Sequence, residues 1–478
     1  MSKNKKEIPY WAKTGHAKPV TRRDFLSAGL VPFAANIFVP NWISLILGNP
    51  AHAQTSAASC NSVGASMIPF VTVNLSGGAS LASNFVPMDA GGQMLASYSK
   101  MGLGDNQVPI VREFGNAPFA GDLGGGVLIS KFLTGLRQQA SAATIGGTAF
   151  VGIPCNSQND TDSNKFDISG AITKAGLVGT NLPNLGRVNT RTGIKQSSSM
   201  VNPPSPLVVN SYSALLTSIG YSANLGAALN VNQKNSLAKL ISNLSGSQSA
   251  KLNSVKGAAG VKKVLDCAGI KNVDVVQKGA SIVDPRGNAG IATAWGINAN
   301  TNAGTREMIL GAMVYNTLLG QAGTSNIDLG GYDYHSNNRT DGNAKDLDAG
   351  VVVGRILESA RVLNKPLMIY VTSDGSVSST DSATNRQSAW TGDNSAMGMA
   401  YMIYYNPAGR PEMTGNQIGQ FTNNQGADTK FITGGSAELT GAAVFANWCA
   451  ANKRMDLFDV VSNRVFNSGQ LASVLKIA

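Results

Sequence analysis

The order of a helix and a strand late in the chain is the feature that most constrains its fold. Apolar residues recur with helical spacing from Ala349 to Leu363, and Pro366 then prevents the helix from continuing. The next five residues, from Leu367 to Val371, are all apolar. Such an unbroken run is typical of a strand that is covered on both faces. This segment therefore predicts a mostly parallel sheet sandwiched by helices, which is an α/β fold.

The same alternation of helix and strand is found in other parts of the chain. Strands are predicted at 70–75, where a glycine turn follows, and at 149–153. A helix that Thr305 caps is predicted to extend to about Gly320, before a short strand that ends at Leu329. Polar residues follow several of these strands, so we expect a site along the carboxyl edge of the sheet.

A mainly helical elaboration is predicted at 205–300, inside a single α/β domain that covers 68–478. The apolar residues of this region repeat with the period of a helix rather than with that of a strand. One apolar helical face is predicted there, formed by Leu237, Leu240, Ile241 and Leu244.

The start of the chain has the pattern of a twin-arginine export signal. Arg22 and Arg23 precede an apolar segment, and a small-x-small cleavage site ends at Ala53. We therefore expect 1–53 to be a signal peptide and 54–67 to be a flexible leader. The mature protein is predicted to be periplasmic or secreted in a bacterium, with the twin-arginine translocase as its partner during export.

The net charge of the chain is less positive once this signal is removed. The chain holds 38 basic and 27 acidic residues, of which seven basic and two acidic residues lie in 1–53, so the net charge falls from +11 to +6. Because the basic residues form no continuous run after the signal, nucleic acid is not expected as a partner. No second apolar run of membrane length follows either, so no membrane association is expected after cleavage. The partner in the periplasm or at the cell surface is left unidentified.

Four cysteines occur in the predicted mature chain, and they are too far apart for a CxxC redox or zinc pattern. An oxidising compartment would allow two disulfides in three connectivities. Four separate buried thiols explain the same residues equally well. The residues are Cys60, Cys155, Cys267 and Cys449.

Three side chains with oxygen or nitrogen ligands are predicted to meet at the edge of the sheet. Asp333 and His335 follow the strand that ends at Leu329, and Asp374 ends the next strand. Such residues can bind a cation. An Asp-x-His pair in a loop is also compatible with a simple turn in which the histidine is hydrogen-bonded.

Several short motifs, taken in order, resemble those of the twin-arginine-exported family known as "domain of unknown function 1501". Ser76 to Ser80, with Val86-Pro87, is similar to its "GGADG…VVP" motif. The other matching segments are Lys165-Phe166-Asp167 for "SHFDA", Gly331 to His335 for "GWDTH", Thr372-Ser373-Asp374 for "SEFGR" and Gly392-Asp393-Asn394 for "GxDH". The family is related to the alkaline phosphatase and sulfatase superfamily. The resemblance implies an alkaline-phosphatase-like fold and a cation site at Asp333, His335, Asp374 and Asp393.

The chain departs from the family pattern at three positions that would contact a metal or a phosphate. Ser80 stands in place of an aspartate, and Lys165 and Asn394 each stand in place of a histidine. His335 is the only histidine after residue 53, so a two-zinc site with several histidines is excluded. We expect either no cofactor or one divalent cation, with Mg²⁺, Ca²⁺ or Mn²⁺ favoured over Zn²⁺.

The altered positions leave two functions open. In the first, Lys165 replaces the cation by pairing with Asp333 or Asp374, beside Asp167 in the inherited cleft, and the protein is a non-catalytic binding or assembly component. In the second, the protein is a divergent metal-dependent hydrolase of phosphate or sulfate esters. No nucleophile can be named from the sequence, and no Gly-x-Ser-x-Gly or phosphate-binding glycine loop is present.

Overall fold

The structure is a computed structural model. It describes residues 67–98, 101, 108–121, 130–157, 168–177, 179, 182, 184–187, 206–219, 229–254, 259–334, 339–379, 390–393 and 395–477.

The strands, in chain order, are β1 (Phe70–Leu75), β2 (Ile110–Val111), β3 (Phe119–Ala120), β4 (Thr148–Pro154), β5 (Leu185–Gly186), β6 (Leu207–Val208), β7 (Thr324–Leu329), β8 (Leu367–Ser373), β9 (Val377–Ser379), β10 (Trp390–Asp393) and β11 (Met399–Tyr405).

The α-helices are α1 (Leu81–Asn84), α2 (Lys131–Gln139), α3 (Ala142–Gly146), α4 (Ile168–Lys174), α5 (Tyr212–Ser218), α6 (Val231–Lys251), α7 (Ala259–Lys278), α8 (Ala289–Trp295), α9 (Arg306–Leu318), α10 (Arg339–Val362), α11 (Ala437–Ala451), α12 (Asp456–Ser462) and α13 (Ser468–Val474). Single 3₁₀ turns lie at Leu252–Ser254, Gly279–Ile282, Pro285–Gly287 and Ser395–Met397.

A seven-stranded sheet with the order β4-β11-β8-β1-β7-β5-β6 forms the centre of the protein. The pairs from β8 through β1, β7 and β5 to β6 are parallel, and β11 is antiparallel to both of its neighbours. The predicted α/β class with a mostly parallel sheet is therefore confirmed. Two short antiparallel pairs, β2 with β3 and β9 with β10, lie outside this sheet.

Both faces of the sheet carry a hydrophobic core, which explains why its central strands are so apolar. Val71 and Val73 of β1 contribute to one core, together with buried residues of α2, α9 and α10. Phe70 points the other way and packs in the second core, with residues of α4 and α11. Because side chains alternate along a strand, helices on both faces are needed to bury a strand such as β8.

The ends of the two long helices near the centre follow the predicted signals. The Thr305 side chain accepts a hydrogen bond of 3.4 Å from the Met308 amide and caps α9. Helix α10 ends at Val362, three residues after Ser359 and shortly before Pro366. These helices cover one face of β1 and β7.

The described residues between 206 and 300 are mainly helical, and their largest part is an antiparallel pair of helices, α6 and α7, which we call the hairpin. Asn230 starts α6 with a capping box that includes Gln233. The predicted apolar face of α6 is not buried as a whole, because Leu240 is 55% exposed and Leu244 is 45% exposed. The fully buried residues of α6 are the small Ala238 and Ser249. No described helix is both long and apolar enough to cross a membrane.

Candidate functional site

Three loops meet at the carboxyl edge of the sheet, after β1, β7 and β8. The Ser76 amide donates to the Leu329 carbonyl at 2.9 Å, and the Tyr332 amide donates to the Ser76 carbonyl at 3.0 Å. The Gly77 amide donates to Asp374 Oδ1 at 2.6 Å. The loop after β1 is therefore tied to the loop on each side of it.

Gly77 brings Asp333 and Asp374 to the same turn. Its φ of +122° lies in the region that favours glycine. A Cβ atom at this position would lie only 2.7 Å from the backbone nitrogen of Asp333. Gly77 thus contacts Asp333 on one side and donates to Asp374 on the other, so the structure brings these two predicted site residues together.

The turn that leads to Ser80 is shaped by Ser373, the last residue of β8. The Ser373 hydroxyl donates to the Leu75 carbonyl at 2.7 Å and accepts from the Ala79 amide at 2.8 Å. Ser80 immediately precedes α1, but its side chain does not cap that helix. Within the described part of the chain, its fully buried hydroxyl has no hydrogen-bond partner.

A group of polar residues on one face of β1, β7 and β8 leads to this edge, and we call it the polar floor. Asn74 lies opposite Asp328 in β7 and opposite Thr372 in β8, and Thr72 lies opposite Asn326. The Asn74 amide donates to Asp328 Oδ1 at 3.1 Å. By alternation these residues share the face of Phe70, on which Met368 and Tyr370 of β8 are apolar and Thr324 of β7 is a further polar residue.

The polar floor is bordered by α4 and by the end of β5. The Ser169 hydroxyl donates to Asn326 Oδ1 at 2.7 Å, and the Arg187 amide donates to the Asn326 carbonyl at 3.0 Å. Burial lowers the pKa of Arg187, the charge of Arg306 acts in the same direction, and the charge of Asp328 opposes the shift. The floor therefore combines neutral amides and hydroxyls with one carboxylate and a nearby guanidinium.

A buried carboxyl group, Asp346 of α10, lies behind the two loops. It accepts 2.7 Å hydrogen bonds from the Asn84 amide and from the Tyr334 hydroxyl. Burial raises the pKa of Asp346 to about 7, although both of these hydrogen bonds lower it. Asn84 Oδ1 in turn accepts from the Ser130 hydroxyl at 3.0 Å and the Phe132 amide at 3.1 Å. Asp346 therefore fixes α1 and the loop after β7 to the same helix.

Sequence reasoning missed Asp346, yet a signal for it is present. It lies three residues before Ala349 and seven before Val353, on the apolar stripe that predicted α10. An acidic residue on a buried helical stripe must be paired, hydrogen-bonded or protonated. The polar floor was also missed, although Thr72 and Asn74 alternate with apolar residues in β1.

The ammonium group of Lys345 lies beside the loop after β7. Lys345 Nζ donates to the Gly330 carbonyl at 3.1 Å and lies 5.5 Å from the centre of the Tyr332 ring. In one of the two readings of the sequence, Lys165 supplies the positive charge of this edge in place of a metal ion, and Lys165 lies outside the described residues. The structure therefore adds Lys345 as a second source of positive charge for the Asp333 loop.

The remaining predicted site residues are placed only in part. The backbone of Asp393 pairs with Val377, in the antiparallel pair of β9 and β10 that follows Asp374. The other predicted residues lie outside the described part of the chain: Arg22, Arg23, Ala53, Cys60, Lys165, Asp167, His335 and Asn394.

The described residues do not by themselves form a cation site. Among them, no three histidine, cysteine, aspartate or glutamate side chains are grouped so that they could hold a metal ion. Asp333 and Asp374 supply two carboxylates, and the sequence predicts His335 and Asp393 as further ligands. The cation stays a prediction.

Two of the four cysteines are free thiols in the structure. Cys155 and Cys449 are both buried and unbridged. Burial raises the pKa of Cys155 to about 12, although a hydrogen bond with Thr440 lowers it. Burial also raises the pKa of Cys449. These thiols are therefore protonated and unreactive in the folded protein.

Comparisons with protein-family models, with curated proteins and with solved structures found no match. The family resemblance of the motifs therefore remains a prediction. The α/β class follows from the pairing of the strands. The function is inferred from the geometry at the carboxyl edge of the sheet.

Proposed function

We propose that this chain is an exported, non-catalytic binding or assembly component with an alkaline-phosphatase-like scaffold. The main support is the position of Asp374, which the resemblance makes a metal ligand. Its carboxylate accepts a short hydrogen bond of 2.6 Å from the Gly77 amide. A carboxylate that receives a backbone amide in this way joins β8 to the turn after β1. The residue has a structural role that does not depend on a metal.

The polar floor gives the edge the chemistry of a binding site. Asn74, Asn326, Thr72 and Thr372 are neutral side chains that donate or accept hydrogen bonds. Neutral amides and hydroxyls suit the recognition of an uncharged polar ligand, such as one rich in hydroxyl groups, because they pay a small desolvation penalty. None of these four side chains titrates near neutral pH, so none of them can act as a general acid or base.

One observation favours the alternative, a divergent metal-dependent hydrolase of phosphate or sulfate esters. Ser80 has a buried hydroxyl with no partner among the described residues, and it lies three residues after Gly77, which contacts Asp333 and Asp374. A cation at this turn would be held by these two carboxylates with His335 or Asp393. It would supply Lewis-acid polarisation of the ester oxygen.

Metal content and ester hydrolysis separate the two functions. The mature protein is purified from the periplasm, its metals are measured by elemental analysis, and 4-nitrophenyl phosphate and sulfate are tested with added Mg²⁺, Ca²⁺, Mn²⁺ or Zn²⁺. We expect no stoichiometric metal and no turnover. Stoichiometric metal with turnover that is lost in Asp374→Asn, but kept in the exposed control Asp341→Asn, would establish the hydrolase instead.

A further inference from the structure

The net positive charge of the chain beyond the predicted signal is concentrated in the hairpin. Val231 to Lys278 contains eight lysines and two aspartates, a net charge of +6. The rest of 54–478 contains 23 basic and 23 acidic residues and is neutral. The basic residues are scattered in the sequence, which is why no continuous run is seen. Seven of the eight lysines lie on the two adjacent helices α6 and α7, and Lys256 lies outside the described residues.

The hairpin also carries exposed apolar side chains. Val231, Leu240, Leu244 and Ile270 are 72%, 55%, 45% and 53% exposed, respectively. The other large apolar residues exposed among the described ones are Leu319 and Val460, which lie far apart in the sequence. Leu240 and Leu244 are four residues apart, so they lie on one side of α6. Lysines and exposed leucines are thus combined on one structural unit.

The two helices contact chiefly each other. A Cβ atom added at Gly269 of α7 would lie 2.6 Å from the Ser245 side chain of α6, which shows how closely the helices approach. Lys262 and Lys278 form ion pairs of 3.2 Å with Asp266 and Asp274, respectively, four residues away on α7. Both aspartates of the hairpin are therefore already paired, and the net charge comes from the remaining lysines.

We propose that the hairpin binds an anionic lipid surface, with its leucines at the boundary between headgroups and acyl chains. Basic residues beside exposed apolar residues on a helix are typical of segments that lie on a membrane. Lysine suits this position because its long aliphatic stem packs on apolar groups while the ammonium reaches the headgroup phosphates. Attraction to anionic lipids acts on each lysine near the surface.

Two other occupants fit the hairpin less well. Val231 to Lys278 contains no aromatic residue and no arginine, so stacking on nucleic acid bases and bidentate contacts to phosphates are both unavailable. A second copy of the chain would place two surfaces of charge +6 against each other across a twofold axis. Unlike these two occupants, an anionic lipid surface uses both the lysines and the leucines.

This proposal replaces the expectation that the mature chain has no contact with a membrane. That expectation came from the absence of a second apolar run of membrane length, which concerns helices that cross the bilayer. A hairpin that lies on the surface needs no such run. The proposal does not depend on the function of the sheet edge, because the two use different residues.

Vesicle binding tests the proposal directly. The mature chain is sedimented with phosphatidylcholine vesicles that contain or lack phosphatidylglycerol, at low and high salt. We expect binding only to the anionic vesicles, and we expect it to weaken as salt rises. A variant with Lys239→Gln and Lys251→Gln should bind about 25-fold more weakly, since each lysine contributes about fivefold.

Matched variants show whether the effect belongs to the hairpin. The control Lys365→Gln with Lys453→Gln removes two exposed lysines elsewhere and changes the net charge equally. It should bind like the unmodified chain. Leu240→Gln with Leu244→Gln should weaken binding about tenfold, whereas Leu319→Gln with Val460→Gln should not. All of these residues are exposed, and circular dichroism verifies that each variant folds.

Several results would overturn the proposal. One is equal binding to neutral and anionic vesicles, or none to either. Another is an equal loss of binding in the hairpin and control variants. Binding of a single-stranded oligonucleotide in a fluorescence anisotropy assay, without vesicle binding, would assign the hairpin to nucleic acid. Light scattering that shows a dimer broken by the two leucine substitutions would assign it to a second copy.

Discussion

The Asn84 side-chain amide donates a hydrogen bond of 2.7 Å to Asp346, a residue 262 positions further along the chain. Asn84 ends α1, the helix that Ser80 precedes, and Asp346 lies in α10. The Tyr334 hydroxyl donates to the other oxygen of the same carboxylate, also at 2.7 Å. One buried carboxyl group thus joins the loop after β1 to the loop after β7, behind the turn where Asp333 and Asp374 meet.

This buried group predicts a pH dependence of stability. The pKa of Asp346 is about 7 in the folded protein, against about 3.9 for an ordinary aspartate, so the folded state binds more protons between these values. The free energy of unfolding therefore falls as pH rises from about 4 to about 7, by up to about 4 kcal/mol, and is level above that. Urea denaturation as a function of pH measures this fall in the free energy of unfolding.

Asp346→Asn isolates the contribution of this group. The asparagine keeps the shape and cannot ionise, so we expect its free energy of unfolding to lack the fall that the unmodified chain shows between about pH 4 and about pH 7. Asp341→Asn changes an exposed aspartate of the same helix, and this variant should still show the fall. The same pH profile in the unmodified chain and in Asp346→Asn would contradict the prediction.

The contact of Gly77 with Asp333 predicts an unusually large cost for a single methyl group. Gly77→Ala requires a φ of +122° and places Cβ 2.7 Å from the Asp333 nitrogen, so we expect a loss of about 3 kcal/mol or more. Gly92→Ala is the control, since its φ is +75° and no described atom lies within 4 Å of the added Cβ. It should cost about 1 kcal/mol. Equal costs would show that the turn relaxes away from Asp333.

The free thiols limit the number of disulfides. With Cys155 and Cys449 unbridged, the chain can form one disulfide at most, between Cys60 and Cys267. We expect intact-mass analysis after alkylation in denaturant, without reductant, to show two or four labelled thiols. Labelling of Cys155 and Cys449 in the folded protein should be slow, because burial raises the pKa of both. Fewer than two labelled thiols in denaturant would contradict the structure.

The predicted export signal can be tested in a bacterium that has a twin-arginine pathway. Replacement of Arg22 and Arg23 by lysines should leave the precursor in the cytoplasm, since the twin-arginine pathway reads the arginine pair. Lys13→Arg with Lys18→Arg makes the same number of charge-conserving changes in the same segment and should leave export intact. The mature N-terminus should be Gln54. Efficient export of the double-lysine variant would disprove the prediction.

The central part of the sheet could be predicted because its signals are local. The strand at Phe70–Leu75, the helix that Thr305 caps and the strand at Leu367–Ser373 all lie where apolar period, caps and Pro366 indicated. Strand β11, at Met399–Tyr405, was not predicted, although its seven residues are mostly apolar and all buried. Its antiparallel position between β4 and β8 is a long-range property that no local pattern specifies.

The candidate site was less predictable, since its parts come together only through strand register. That Asn74 lies opposite Asp328 and Thr372 depends on how three distant strands pair. The apolar stripe of α6 shows the opposite problem. Its period correctly predicted a helix, but Leu240 is exposed because the hairpin buries small residues instead. Periodicity predicts the type of an element, whereas burial depends on what packs against it.

The hydrogen bond between Gly77 and Asp374 allows the structural role of the carboxylate to be separated from a role in metal binding. Asp374→Asn keeps an oxygen that can accept from the Gly77 amide, so we expect a loss of stability of about 1 kcal/mol. Asp374→Ala removes the acceptor and should cost about 2 kcal/mol or more. A chelator should leave the thermal unfolding midpoint of the unmodified chain unchanged. If Asp374 holds a structural cation instead, the chelator lowers that midpoint, and Asp374→Asn destabilises as much as Asp374→Ala, because the loss of the charged ligand removes the cation in both variants.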